Sequence, residues 1–399
     1  MFKISSIISL LTAVLFLNGC GGSNNNSSDT PAVNPQTAPQ VNPPIEPQTA
    51  PQVNPPIEPI LLKDIHFVDD NLKNCIIDVA TKQKLTRVSQ ITSLSCISKN
   101  ITDLSGLAQL SALDDLVLNG NHITDLSAVA GLLKLQSLSV ANNNIKTLPD
   151  LSNLNALTFL DLSNNSHLQE SDGIDDISPP LSSINVPNIA NLADLTSLIT
   201  LRLANNHIID ISPLSNKVAL ERLYLDHNRI GDVSALFNLT SLNTLDLSTN
   251  MLSKQQIPTI NNLTKLTHLS LADNYIFDIS GLYSLTSLTS LSLSDNLRTA
   301  TQGEPHYLKL GVLANFTALT SLELANNLIS DISPLASLVK LTSLDLAENK
   351  ITDISVLSGL TQARIINLQD NNNIACADIE LLIEKLGETV VAASSNCIK

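Results

Sequence analysis

Seven histidines, five cysteines and many serines are the residues of this chain that could support covalent or metal chemistry. They are not spaced for it. His66, His122, His167, His207, His227, His268 and His306 are scattered, and no CxxC motif or close His pair offers a tetrahedral metal site. The sequence has no GxSxG elbow, phosphate-binding Walker loop or Gly-rich dinucleotide turn. Asp172-Gly173 with Asp175 and Asp176 is weakly suggestive of calcium but lacks the ligand order of an EF-hand loop. The expectation is therefore a non-enzyme with no cofactor and no metal. The cysteines carry more information. Cys75 and Cys96 have the same separation as Cys376 and Cys397, and the two sets lie near opposite ends of the chain. Three pairings are possible in principle, and the fold decides among them.

The elements that hold these residues follow from an asparagine clock. Asn121, Asn143 and Asn165 are 22 residues apart, as are Asn206, Asn228 and Asn250. Asn274 and Asn296 repeat the interval, and so do Asn327, Asn349 and Asn371. Each closes the phrase LxxLxLxxN, for example Leu341 to Asn349. A fixed period of this length with this phrase is the signature of leucine-rich repeats. The expected fold is an α/β leucine-rich repeat solenoid: a right-handed superhelix with a parallel sheet on its concave side and short 3₁₀ segments or turns on its convex side. The recurring Ile-x-Asp-Ile-Ser-x-Leu phrase contains Pro213 and Pro334, so it belongs on the convex side rather than in a central strand. An Asn side chain offers donors and an acceptor, so at the strand's end it can satisfy backbone groups of its own coil and the next. Composition agrees with a solenoid: 43% apolar residues but 3% aromatic and no Trp suits thin stacked slices better than one large core. In a solenoid the chain ends lie far apart, and disulfide Cα atoms must approach within about 7 Å. That selects Cys75–Cys96 and Cys376–Cys397.

Residues 1–19 read as a secretory signal, with Lys3 ahead of an apolar run from Ile4 to Leu17. Leu17-Asn18-Gly19-Cys20 resembles the lipobox of bacterial lipoproteins, which implies cleavage before Cys20 and lipidation of its thiol. In that family an Asp after the Cys favours inner-membrane retention; Gly21 leans towards the outer membrane or cell surface. Residues 20–60 form a tether in which Pro35–Glu46 repeats unchanged as Pro47–Glu58. Its proline content favours polyproline II, about 3.1 Å per residue and roughly 100 Å in reach. Residues 61–98 form an N-terminal cap with a helix near 70–80, 99–374 the repeats, and 375–399 a C-terminal cap with a helix over 377–386. Two coils are oversized, with insertions near 166–187 and 297–311. The first carries Glu170, Asp172, Asp175 and Asp176; the second carries Arg298, His306, Tyr307 and Lys309.

The repeat span resembles the internalin-like leucine-rich repeat proteins of bacteria, which share the 22-residue coil and the Asp-Ile-Ser-x-Leu phrase. The resemblance implies a binding scaffold without naming a partner. A formal net charge of −15 opposes nucleic-acid binding and polybasic attachment to lipid, leaving the lipid anchor as the membrane contact. Two columns of outward strand positions are mostly small or acidic, except near the middle. There Phe159, Arg202, Arg222 and Tyr224 gather, bordered by Asp161, Asp226, Asp246 and His268. Arg and aromatics dominate binding hot spots; the competing reading is that Arg and Asp neutralise each other across strands. The functional expectation is a monomeric envelope lipoprotein that binds a protein. The alternatives are a glycan reader using Tyr224 and Phe159, and a structural envelope component.

Overall fold

The computed structural model describes residues 61, 64–145, 147–165, 189–296, 307–393 and 397. The signal and tether, Cys20, the insertion near 166–187 and residues 297–306 of the second insertion lie outside the described residues. Contacts divide the chain into Met1–Ile57 and Glu58–Lys399, and the description that follows concerns the second unit alone.

Among the described residues thirteen parallel strands form one sheet in strict chain order. They are β1 (Ser93–Ser95), β2 (Asp115–Val117), β3 (Ser137–Ser139), β4 (Phe159–Asp161), β5 (Thr200–Arg202), β6 (Arg222–Tyr224), β7 (Thr244–Asp246), β8 (His268–Ser270), β9 (Ser290–Ser292), β10 (Ser321–Glu323), β11 (Ser343–Asp345), β12 (Ile365–Leu368) and β13 (Val391–Ala393). The alternation L-x-L sends the leucines inward, and Leu223, Leu225, Leu291 and Leu293 are at most 1% exposed. Fully burying one Leu contributes about 1.5–3 kcal/mol, and every coil repeats the burial, which is why a sequence poor in aromatics still folds.

The convex side is made of single 3₁₀ turns such as Ser212–Leu214, Ser234–Leu236 and Ser333–Ser337. The structure supplies the cause of the Asp-Ile-Ser phrase. Asp210, Asp232, Asp331 and Asp353 each accept from the backbone N–H of the Ser two residues on, at 2.8–2.9 Å. These Asx turns start the 3₁₀ segment by occupying a donor that the short helix leaves free. The third coil to depart from 22 residues was not expected: Asn250 to Asn274 spans 24. Its two extra residues are taken up by a one-turn helix, α2 (Ile257–Asn261), here numbered after the N-terminal α1 (Asp70–Gln83).

Both ends are closed as a solenoid requires. α1 buries Leu72, Cys75, Ile76 and Ala80 against the first coil. Its N-cap Asp69 accepts from Asn71 and Leu72 of the helix, and also from the Thr102 N–H at 2.7 Å and the Thr102 hydroxyl at 3.0 Å in the coil. Burial opposes ionisation of Asp69, but these hydrogen bonds outweigh it and hold the carboxyl below its usual range. Cys75 bonds Cys96 with Cα atoms 5.9 Å apart. At the other end α3 (Cys376–Leu386) stops at Gly387, whose φ of 107° suits glycine. Cys376 bonds Cys397 with Cα atoms 5.0 Å apart.

Candidate functional site

The ladder asparagines tie each coil to its neighbour, and the stacking they maintain sets the surface on which any site is built. Asn228 Nδ2 donates to Leu203 O at 3.0 Å, Leu225 O at 2.9 Å and Asp226 O at 3.2 Å. Its Oδ1 accepts from Asn206 N at 3.1 Å and Ile208 N at 2.9 Å. The bonds run to the asparagine's own coil and the preceding one, not to the next coil as the sequence reading had it. The amide is reached by the previous coil's chain as it leaves its own strand. Asn121, Asn143, Asn165, Asn206, Asn250, Asn274, Asn296, Asn327, Asn349 and Asn371 are likewise buried.

Strand register then sets the surface. Phe159, Thr200, Arg222, Thr244 and His268 lie in one file across β4–β8, and Asp161, Arg202, Tyr224, Asp246 and Ser270 in the next. Neighbouring strands are about 4.8 Å apart, so Arg202 and Tyr224 touch. The Arg202 guanidinium carbon sits 4.6 Å from the Tyr224 ring centroid, a cation–π contact. Arg222 Nε donates to Thr200 Oγ1 at 3.0 Å, and its Nη1 lies 3.7 Å from the Glu221 carboxylate. Phe159 is half-buried and separated from Arg222 by Thr200. Cross-strand neutralisation of Arg by Asp is not what the structure adopts: among the described residues neither arginine forms an ion pair with Asp161 or Asp246. The outward files are also less open than alternation implies. Thr200 is 4% exposed beneath Arg222, and Ser139 is 7% exposed because its hydroxyl donates to Asn119 Oδ1.

The border carboxylates differ in environment. Asp161 accepts from Ser163 N at 3.0 Å. Asp226 lies 3.0 Å from His227 Nδ1 at the sheet's rim. Burial pushes the Asp246 carboxyl above its usual range, with nearby Asp226 adding to the effect, while hydrogen bonds from Ser248 oppose it. His268 Nδ1 is 2.9 Å from Thr267 Oγ1. Among the described residues no three His, Cys, Asp or Glu side chains converge on a point that could hold a metal ion. Of the second insertion's named residues, Tyr307 is half exposed, while Lys309 pairs with Asp278 at 3.0 Å.

Three features escaped the sequence reading. A threonine ladder stitches the other end of the strands: Thr289 Oγ1 donates to Thr267 O, Thr320 to Thr289 O and Thr342 to Thr320 O, each at 3.0 Å. The residue before each ladder asparagine adopts left-handed backbone, as at Gly120 (φ 70°), Asn142 (57°), Asn164 (58°), Asn205 (53°) and Asp273 (53°). Both were legible as repeat columns, the second because Gly, Asn and Asp tolerate that region. Finally Lys217, fully buried, fills the slot that Leu195 and Leu239 occupy in adjacent coils. Its Nζ donates to Ala193 O at 2.6 Å and Asn216 Oδ1 at 3.1 Å. Burial pulls its pKa down to about 8, with the charge of Asp194 pulling the other way.

Comparison with known proteins agrees with this geometry. Residues 317–359 match the family model described as Leucine Rich repeats (2 copies). No curated protein matches the chain. Among solved structures, an internalin (inlF) from Listeria monocytogenes is 32% identical, with 86% of this chain and 93% of that chain covered and a TM-score of 0.70. A leucine-rich repeat protein of Leptospira interrogans is 21% identical over 76% of this chain and 85% of its own, with a TM-score of 0.56. Mouse RP105, solved as its complex with MD-1, is 23% identical over 75% of this chain and 50% of its own, with a TM-score of 0.54. The last two share the fold; the first shares sequence along nearly its whole length as well, and on that ground the chain belongs to the internalin-like family of bacterial leucine-rich repeat proteins.

Proposed function

We propose that the chain is a non-catalytic recognition protein of the bacterial envelope that holds a protein partner on the exposed face of its sheet. Leucine-rich repeat proteins are generally protein-interaction modules, and a protein of this fold, mouse RP105, is known in complex with MD-1. The observation that carries the reading is the Arg202–Tyr224 stack with Arg222 beside it, on a face whose other positions are mostly small or acidic. Arginine and tyrosine supply large contact area and directional donors at modest entropic cost, which is why binding energy concentrates on them. Phe159, Asp161, Asp226, Asp246 and His268 form the border. Capture experiments with residues 61–399 test this: Arg202→Glu/Tyr224→Ala abolishes recovery of the partner that the unaltered protein retains, with an unchanged circular dichroism spectrum. Equal recovery by both proteins removes the central patch from the account.

Export and lipid anchoring at Cys20 complete the proposal. Leu17-Asn18-Gly19-Cys20 supports lipidation, and two disulfides suit an oxidising compartment. Several acyl chains on one residue would anchor stably where a single chain would not. Cells fed an alkyne-tagged fatty acid label the wild-type protein and leave Cys20→Ala unlabelled; equal labelling of the two rules out Cys20 as the attachment point.

A further inference from the structure

The rim beside the asparagine ladder carries a second site. A groove of about 540 Å³ runs across the first full coils, lined by Gly120, His122, Asn142, Asn144, Asn164 and Asn205, with the buried ladder residue Asn121 beside them. That volume lies within the range of small-ligand sites. Its walls come from the positions just before and just after the ladder asparagines on coils β2 to β5. Left-handed backbone at Gly120, Asn142, Asn164 and Asn205 gives one side of the groove its turn. At Gly120 a Cβ would meet Ser98 Oγ at 2.7 Å, so this end stays free of a side chain.

The left-handed backbone accounts for Gly and Asn in this column but not for the absence of Asp. A left-handed turn accepts Asp as well as Asn. In the C-terminal coils the same slot holds Asp273, Asp295, Asn326, Glu348 and Asp370, four of the five acidic, and in the groove it holds only Gly and Asn. In a chain of net charge −15, this stretch of rim carries no carboxylate. Nor does it carry an aliphatic or aromatic side chain other than the His122 ring, so it has no pocket for the anchoring side chains of a peptide. What it offers is a row of amides, each both donor and acceptor. Asn205 Nδ2 donating to Asn164 Oδ1 at 2.6 Å aligns two of them. Hydroxyl groups are likewise both donor and acceptor, and vicinal hydroxyls match such a row without any charge. From this we infer that the groove binds a neutral oligosaccharide, of two or three sugar units, at a site separate from the sheet-face patch.

The test uses the full chain on an array of neutral hexose and N-acetylhexosamine oligosaccharides, with sialylated and sulfated ones alongside. Titration calorimetry with the strongest neutral oligosaccharide on the array then compares three proteins. Asn142→Gly/Asn144→Ala keeps the left-handed turn and removes two amides, and it weakens binding by about tenfold or more. Arg202→Glu/Tyr224→Ala leaves that affinity unchanged, which separates this site from the proposed protein-binding face. Matching thermal melts of all three proteins exclude unfolding as the cause. Absence of neutral-sugar binding, preference for the charged sugars alone, or binding lost in the sheet-face variant and kept in the groove variant each overturns the inference.

Discussion

Lys217 is the residue at which the repeat breaks its own rule. A charged side chain in a leucine slot costs stability unless its donors are bonded, and here two are. Its folded pKa of about 8 lies below the ordinary 10.5. Between those values the unfolded chain binds more protons than the folded one, so the lysine's penalty is full below about pH 8 and fades as pH rises. Replacement by leucine restores the apolar column that Leu195 and Leu239 continue. Lys217→Leu is therefore expected to raise the denaturant midpoint at pH 7, and its advantage over wild type narrows from pH 8 to pH 10. A gap that stays constant over that range, measured by urea unfolding, contradicts a depressed lysine pKa.

At the scale of elements, coils are joined by the backbone bonds of their three-residue strands and by the side-chain ladders at either end. Removing the Asn228 side chain leaves the N–H groups of Asn206 and Ile208 without an acceptor and takes from the carbonyl of Leu203 one of its two amide donors, the other being Asn206 Nδ2. Asn228→Ala should cost on the order of 1–3 kcal/mol, read as a lower urea midpoint; an unaltered midpoint contradicts the ladder's role. Much of this architecture was legible in the sequence because repetition multiplies a weak signal. One LxxLxLxxN phrase is ambiguous, whereas eleven asparagines in register fix strand, turn and sheet order together. The threonine ladder used the same signal, at Thr267, Thr289, Thr320 and Thr342, and was missed because threonine suits any exposed strand position. The direction of the asparagine bonds was not legible at all, since donors and acceptors in one repeat do not say which neighbour they face. The patch was legible only as a list of side chains: register brought Arg202 onto Tyr224, but burial of Thr200 and the Arg222–Glu221 contact depend on rotamers. Lys217 was legible as the one charged residue in a column that otherwise reads Leu132, Leu154, Leu195, Leu239, Leu263 and Leu285, and was missed because the reading followed the strand and asparagine columns alone.

For the whole repeat unit, the claim is that one side of the sheet layer contacts a partner and the other does not. The two sides differ in kind. The sheet face carries the Arg202–Tyr224 stack within fixed register, whereas Phe237 and Tyr283, 52% and 63% exposed, directly follow 3₁₀ turns on the opposite side. Single exposed apolar residues of that sort are ordinary on soluble surfaces. The most direct measurement is photo-crosslinking with benzoylphenylalanine placed singly at Phe159, Thr244, His268, Phe237 and Tyr283, in the presence of the captured partner. The account predicts covalent adducts from Phe159, Thr244 and His268 and none from Phe237 or Tyr283. Adducts confined to Phe237 and Tyr283 would mean that the partner grips the 3₁₀ side and that the sheet face is not the recognition surface.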